Sequence, residues 1–287
     1  MPDMPRIGIM QGRLAPPESG RFQSFPRDSW EREFGLAASA GLDCIEWIYD
    51  VYGADVNPIA TDPGVERMRQ LSADSGVAVL SICADYFMDA PLLRVNAETF
   101  DERLGTLFWL MRRSQLIGVN RMVMPFVDAS RIDTAEELDQ VVSIIRRALP
   151  VSEETGVELH LETSLEPAVF AELLSRIEHP FLKANYDSGN SSSLGYRPRE
   201  EFKAYGARVG SVHIKDRVFG AATVPLGQGD ADFASLFDCL TEVGYAGDFI
   251  LQVARDLPGD EVAWARANRE FVVARLAEHP ASREVTT

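Results

Sequence analysis

Four polar side chains fall where buried strands should be apolar: Glu162, Asp187, His213 and Gln252, set 25, 26 and 39 residues apart. Each stands at or near the end of a short apolar run, in His160-Leu161-Glu162-Thr163, Asn185-Tyr186-Asp187, Val212-His213-Ile214 and Ile250-Leu251-Gln252. Two carboxylates, an imidazole and an amide oxygen gathered at one point are costly to bury unpaired. A divalent cation would compensate them, because it offers positive charge to hard oxygen and nitrogen ligands. Mn²⁺, Mg²⁺, Co²⁺ or Zn²⁺ suits this set, whereas dedicated Ca²⁺ sites take more oxygens. Taken singly, each residue has a plainer use. Asp187, before Ser188-Gly189-Asn190, can cap a helix or make a turn, and His213 can be a hydrogen-bonded core histidine. The repeated placement is what argues for a common centre. His160 shares the face of Glu162, two residues along a strand, and either orients a ligand from behind or is a buried polar residue. Glu46 stands between Ile45 and Trp47 in another apolar run.

Such side chains converge only if their strands lie side by side with the same ends together. The chain supplies that arrangement. Apolar runs read as strands at 7–10, 44–49, 77–83, 121–126, 158–163, 182–187, 209–215 and 249–253. Between them, helical spacing recurs at 29–40, 62–75, 96–117, 134–155, 167–177, 199–205, 232–243 and 261–277, mostly stopped by glycine. A bend is expected at Pro150, a Ser/Gly/Asn-rich loop at 188–195, and a frayed polar tail at 278–287. Strict β–α alternation implies parallel strands with crossover helices. Eight such units in 287 residues predict an α/β fold, a (β/α)8 TIM barrel spanning residues 1–287 as one domain. In that fold the strand C-termini carry the chemistry. No Gly-x-Gly-x-x-Gly loop follows the first strand, which argues against a dinucleotide fold.

Composition narrows the partners. The net charge of −16 repels nucleic-acid phosphates and anionic lipid. No stretch approaches the ~20 apolar residues of a membrane span, and no signal-peptide pattern precedes Ile7. Cys44, Cys83 and Cys239 lie far apart in apolar runs and read as buried free thiols of a reducing compartment, so a cytoplasmic protein is expected, open to homo-oligomerisation.

Several stretches carry a resemblance. They are Gly8-Ile9-Met10-Gln11-Gly12-Arg13, Gly41-Leu42-Asp43-Cys44-Ile45-Glu46, Val212-His213-Ile214-Lys215-Asp216-Arg217, Leu226-Gly227-Gln228-Gly229-Asp230-Ala231-Asp232-Phe233 and Gly244-Tyr245-Ala246-Gly247. Over nearly its whole length the chain resembles the xylose-isomerase-like barrels, in particular their sugar phosphate isomerase/epimerase group. That group includes L-ribulose-5-phosphate 3-epimerases, hexulose-6-phosphate isomerases, ketose 3-epimerases, inosose dehydratases and the endonuclease IV branch. The resemblance implies one divalent metal held by Glu162, Asp187, His213 and the residue at Gln252, where the family has a glutamate. It also implies a small sugar or sugar phosphate as substrate and an enediolate intermediate, with Glu162 as base. An amide cannot accept a proton, so a second proton carrier would have to be Glu46, His160 or a metal-bound water. Isomerase-like or dehydratase-like chemistry needs only one face. Lys215, Arg217 and Arg255 could clamp a phosphate or carboxylate, and Trp47, Tyr49, Phe87 and Phe126 could wall the pocket. A non-catalytic sugar-binding homologue is the remaining reading. Multi-metal DNA repair is disfavoured by four histidines and the negative charge.

Overall fold

The computed structural model describes residues 4–255 and 259–279. Eight strands close a parallel barrel in the order of the chain: β1 (Ile7–Met10), β2 (Cys44–Ile48), β3 (Ala78–Cys83), β4 (Arg121–Phe126), β5 (Glu158–Thr163), β6 (Leu182–Asp187), β7 (Val209–Ile214) and β8 (Phe249–Leu251). β8 pairs with both β7 and β1, which closes the ring. The fold class read from the sequence is the one observed.

Helices cover the outside of the ring: α1 (Trp30–Ala40), α2 (Asp62–Ser75), a single turn α3 (Tyr86–Asp89), α4 (Ala97–Leu116), α5 (Ala135–Thr155), α6 (Pro167–Ser175), α7 (Ser188–Leu194), α8 (Pro198–Tyr205), α9 (Phe233–Glu242) and α10 (Glu261–Glu278). Local chemistry sets their ends. The side chains of Thr61, Asn96 and Thr134 accept from the N–H groups of Gly64, Thr99 and Glu137, the expected N-cap bond. Gly41 ends α1 in the left-handed region at φ 76°, where its N–H reaches back to Ala37 and Ala38. α5 continues through Pro150.

Two expectations need correction. The 188–195 segment is not a loop: it forms α7, because Asp187 accepts from the N–H groups of Gly189 and Asn190 and so caps a helix that Ser and Gly alone would not favour. The eighth strand stops at Leu251, so Gln252 lies one residue beyond it. Of the polar tail, Glu278 closes α10 and residues 280–287 lie outside the described ones.

One apolar core joins the outward faces of the strands to the helices. At ~1.5–3 kcal/mol for each large side chain withdrawn from water, it supplies most of what holds the ring closed. Cys44, Cys83 and Cys239 are buried free thiols within it. No described helix is long and apolar enough to cross a membrane.

Candidate metal centre

Strand parity builds this site. Alternate residues of a strand face the same side, so the inward positions of β5, β6 and β7 form two layers. The upper layer is Glu162, Asp187 and His213, and the lower is His160, Asn185 and Ser211. Register places Asp187 beside His213 and Asn185 beside Ser211.

In the upper layer, one ligand atom from each of Glu162, Asp187 and His213 lies within 4.8 Å of the other two, and all three residues are buried. His213 Nδ1 is 3.2 Å from Glu162 Oε2 and 3.9 Å from Asp187 Oδ2. Its other nitrogen, Nε2, is 2.7 Å from Glu46 Oε1, and both residues have no exposed surface. A carboxylate behind the ring in this way holds Nε2 protonated and aims Nδ1 at the two acids, so that Nδ1 would offer its lone pair to a metal ion once its own proton is lost, as in carboxylate–histidine–metal arrangements. Asp187 spends Oδ1 on the cap of α7 and leaves Oδ2 for the centre.

The lower layer fixes the upper one. Asn185 Nδ2 donates to Glu162 Oε2 at 2.8 Å, while its Oδ1 accepts from Ser211 Oγ at 2.6 Å. His160 closes the chain, with Nδ1 2.7 Å from Ser211 Oγ and Nε2 2.8 Å from Glu158 Oε2. Asn190, from α7, donates to the remaining oxygen of Glu162 at 2.7 Å.

Charge follows geometry. Burial works against an imidazolium at His213, but the charge of Glu46 and the hydrogen bonds the ring donates to Asp187, Glu162 and Glu46 outweigh it and hold its pKa well above the ordinary value. Burial likewise opposes ionisation of Asp187, yet the Lys215 ammonium and His213 bring it down to about 2. Glu46 is also depressed, since His213 overcomes its burial. His160 goes the other way: burial lowers it, against the pull of Glu158.

The donor set fits a divalent cation: two carboxylate oxygens and an oriented imidazole nitrogen, all within 4.8 Å of one another. Lys215 borders the centre from one side. Its Nζ is 3.5 Å from Asp187 Oδ2, 3.2 Å from Asn190 Oδ1 and 2.9 Å from Gln252 Oε1. Gln252 thus arrives at the mouth with its oxygen already taken by an ammonium, and its Nε2 donates to Gln23 Oε1 at 3.2 Å.

Other residues singled out by sequence lie elsewhere. Glu46 and His160 are bound behind the triad, as described. Trp47 cannot share the face of Glu46. It points outward, packing on Phe25, Trp30 and Phe34 and donating to Asn57. Arg255 spends its guanidinium on the carbonyls of Gly12, Ala15 and Phe22, fastening the loop after β1. Arg217 reaches the rim, where Nη1 meets Asn190 Oδ1 at 3.2 Å. Tyr49 packs with Tyr86 and Trp109, and Phe87 against Tyr86. Asp216 of the His213-Ile214-Lys215-Asp216 stretch is a loop organiser, accepting from the N–H groups of Gly227, Gly229 and Ala231. Asn185, Asn190, Gln23 and Asp85 were not given roles from sequence. For Asn185 the signal was present, two residues before Asp187; Asn190 and Gln23 sit in segments whose path only the fold reveals.

Fold and site together define a (β/α)8 barrel whose strand ends gather a carboxylate–histidine centre able to hold a metal ion. The chain belongs to the xylose isomerase-like TIM barrel family, whose model matches residues 34–274. It is similar to an L-ribulose-5-phosphate 3-epimerase of Salmonella paratyphi A, with 24% identity covering 88% of this chain and 91% of that protein. Among solved structures it shares its fold with an L-ribulose 3-epimerase, at TM-score 0.76 and 20% identity over 98% of this chain and 99% of that one. It also shares it with the IOLI protein carrying a zinc atom, at TM-score 0.76 and 16% identity over 96% and 100%.

Proposed function

We propose that the protein is a divalent-metal-dependent isomerase or epimerase of a ketose sugar or sugar phosphate, working through an enediolate, and that residues 1–287 form one barrel domain dedicated to it. The observation that carries this reading is the Glu162–Asp187–His213 triad, locked from behind by Glu46. The names of its relatives support the substrate class, and the zinc in a structural neighbour supports the metal.

Glu162, Asp187 and His213 would hold the ion. When bound, it would supply Lewis-acid polarisation of the substrate carbonyl and stabilise the enediolate charge. The rest belongs to this chain. Glu162 is the base that removes the proton beside the carbonyl, with Asn185 and Asn190 fixing its two oxygens so that its reach is set in advance. Lys215, held by Gln252 and Asn190, presents an ammonium to substrate oxygens at the reacting end. Arg217, on the rim, is placed for the anionic substituent of a phosphorylated sugar. Arg255 serves by holding the loop that carries Arg13 and Gln23.

Gln252 favours one second reading. With an amide where the family has a carboxylate, proton transfer on a single face would serve aldose–ketose isomerisation or dehydration of a keto-polyol. The test is exchange in deuterated water with L-ribulose 5-phosphate, L-ribulose and other ketoses, with product analysis and metal quantification. Wild-type protein is expected to retain near-stoichiometric metal and to incorporate deuterium beside the carbonyl. Glu162→Gln should abolish incorporation, and a near-normal rate in that variant would assign the base elsewhere. Sugar binding without any exchange would identify a non-catalytic homologue.

A further inference from the structure

Epimerisation needs a proton delivered to the face opposite the one it left, and Gln252 cannot deliver it. Glu46 and His160 are engaged below or behind the triad. Most other buried carboxylates already serve the fold. Glu33 and Asp50 accept from main-chain N–H groups, as does Asp216, and Glu201 accepts from the hydroxyls of Tyr186, Ser191 and Tyr205.

Asp85 is different. It follows β3 at the C-terminal mouth, and β3 lies across the ring from the strand that carries His213. It is 9% exposed, and among the described residues it makes no ion pair. Its partners are a neutral amide and a thiol: Gln23 Nε2 donates to Oδ2 at 2.7 Å, and Cys83 Sγ lies 3.0 Å from Oδ1. The same Gln23 accepts from Gln252 Nε2 and from Arg13 Nη2. One amide therefore separates Asp85 from the position where the family has its second glutamate. Burial, followed by the nearby charges of Asp50 and Glu162, pushes Asp85 up to about 6 against its two hydrogen bonds, so it carries a proton for part of the time near neutrality.

Building on the function proposed above, we infer that Asp85 is the second acid–base residue, relocated from β8 to β3, and that the protein is therefore a two-base epimerase. Glu162 takes the proton from the carbon beside the carbonyl, and the C–H electron pair becomes the carbon–carbon double bond of the enediolate as the carbonyl π pair moves onto its oxygen. Protonated Asp85 then gives its proton to the same carbon from the other face, the carbon–carbon π pair forming the new C–H bond while the oxygen's pair restores the carbonyl. Glu162 is left protonated and Asp85 ionised, and both reset by exchange with water. Gln23 holds Asp85 in place and links it to Gln252, and Arg13 holds Gln23.

The experiment is Asp85→Asn in metal-loaded protein, with deuterium incorporation into recovered substrate and formation of the epimer measured separately. Epimer formation should fall ~10²–10⁴-fold, the usual cost of losing a positioned acid, while incorporation into unreacted substrate by Glu162 persists. Epimer formation near the wild-type rate, or equal loss of both signals, overturns the assignment. If Asp85→Asn does not fold, Asp85→Glu is read the same way: slowed epimer formation with unslowed exchange sustains it, and equal slowing overturns it. Absence of exchange from the wild-type protein overturns the functional proposal and this assignment together, whereas exchange and epimerisation indifferent to Asp85 overturn only the assignment.

Discussion

Replacing Glu46 by glutamine tests whether His213 is built as a ligand. Nε2 of His213 meets Glu46 Oε1 at 2.7 Å with both side chains out of solvent. A charge-assisted bond of this length in a dry setting is worth roughly 1.5–3 kcal/mol. Glutamine keeps the shape and one acceptor but removes the charge, so the ring becomes a poorer donor at Nδ1 and loses its enforced tautomer. The known cost of losing such a partner is about 10–100-fold in metal affinity, which is about 1.4–2.8 kcal/mol at 1.4 kcal/mol per decade. The assay is chelator competition with Mn²⁺ or Co²⁺, read beside circular dichroism to show that the barrel remains closed. An affinity within twofold of wild type, with the fold intact, would refute the reasoning: the Glu46–His213 pair would then be core architecture, and the triad would owe nothing to it.

Two further outcomes concern stability. Burial pushes Glu33 up to about 7, despite main-chain N–H groups from Gly12 and Leu14 that favour its ionised form. The folded state therefore holds a proton that the unfolded chain releases near the ordinary glutamate value of 4.5, so stability falls as pH rises from about 4.5 to 7, by on the order of 3 kcal/mol. Glu33→Gln should flatten that slope in urea unfolding at pH 5 and pH 8, and an unchanged wild-type slope would count against it. Gly8→Ala should destabilise by about 1–3 kcal/mol, because a Cβ on β1 would overlap Cys44 Sγ and stand 2.7 Å from the Cys44 carbonyl and 2.9 Å from Ile250 Cδ1. An unchanged thermal midpoint would show that β1 has room to move.

The barrel was readable because buried parallel strands leave a strong trace: short apolar runs, helices between them, glycine at helix ends. The triad was readable for the same reason, since a carboxylate or histidine inside such a run is an exception that demands a partner. What the sequence could not carry was direction. Parity says that Glu46 and Trp47 face opposite ways but not which faces inward. The answer came from His213, which draws Glu46 in and so sends Trp47 to the helices. Loop-borne residues were harder still. Lys215 and Arg255 both follow strands, yet Lys215 folds back over the triad while Arg255 turns to three carbonyls of the loop after β1. α7 was hidden by a composition of Ser, Gly and Asn that only its cap overcomes.

The departure at Gln252 is best understood through its neighbours. In a site of two carboxylates and a histidine, a third carboxylate would add one more negative charge to be neutralised. Here an amide accepts from Lys215 instead, so that corner of the mouth holds a fixed ammonium in place of an anion. The stem of Lys215 is packed so closely over α7 that a Cβ on Gly189 would stand 2.5 Å from its Cγ, which keeps the ammonium from wandering. The exchange therefore alters the electrostatics more than the shape. On the function proposed above, it offers substrate oxygens a hydrogen-bond donor at that corner of the mouth. On the assignment inferred above, the same exchange makes Gln23 the link between Gln252 and Asp85, the buried carboxylate at the end of β3.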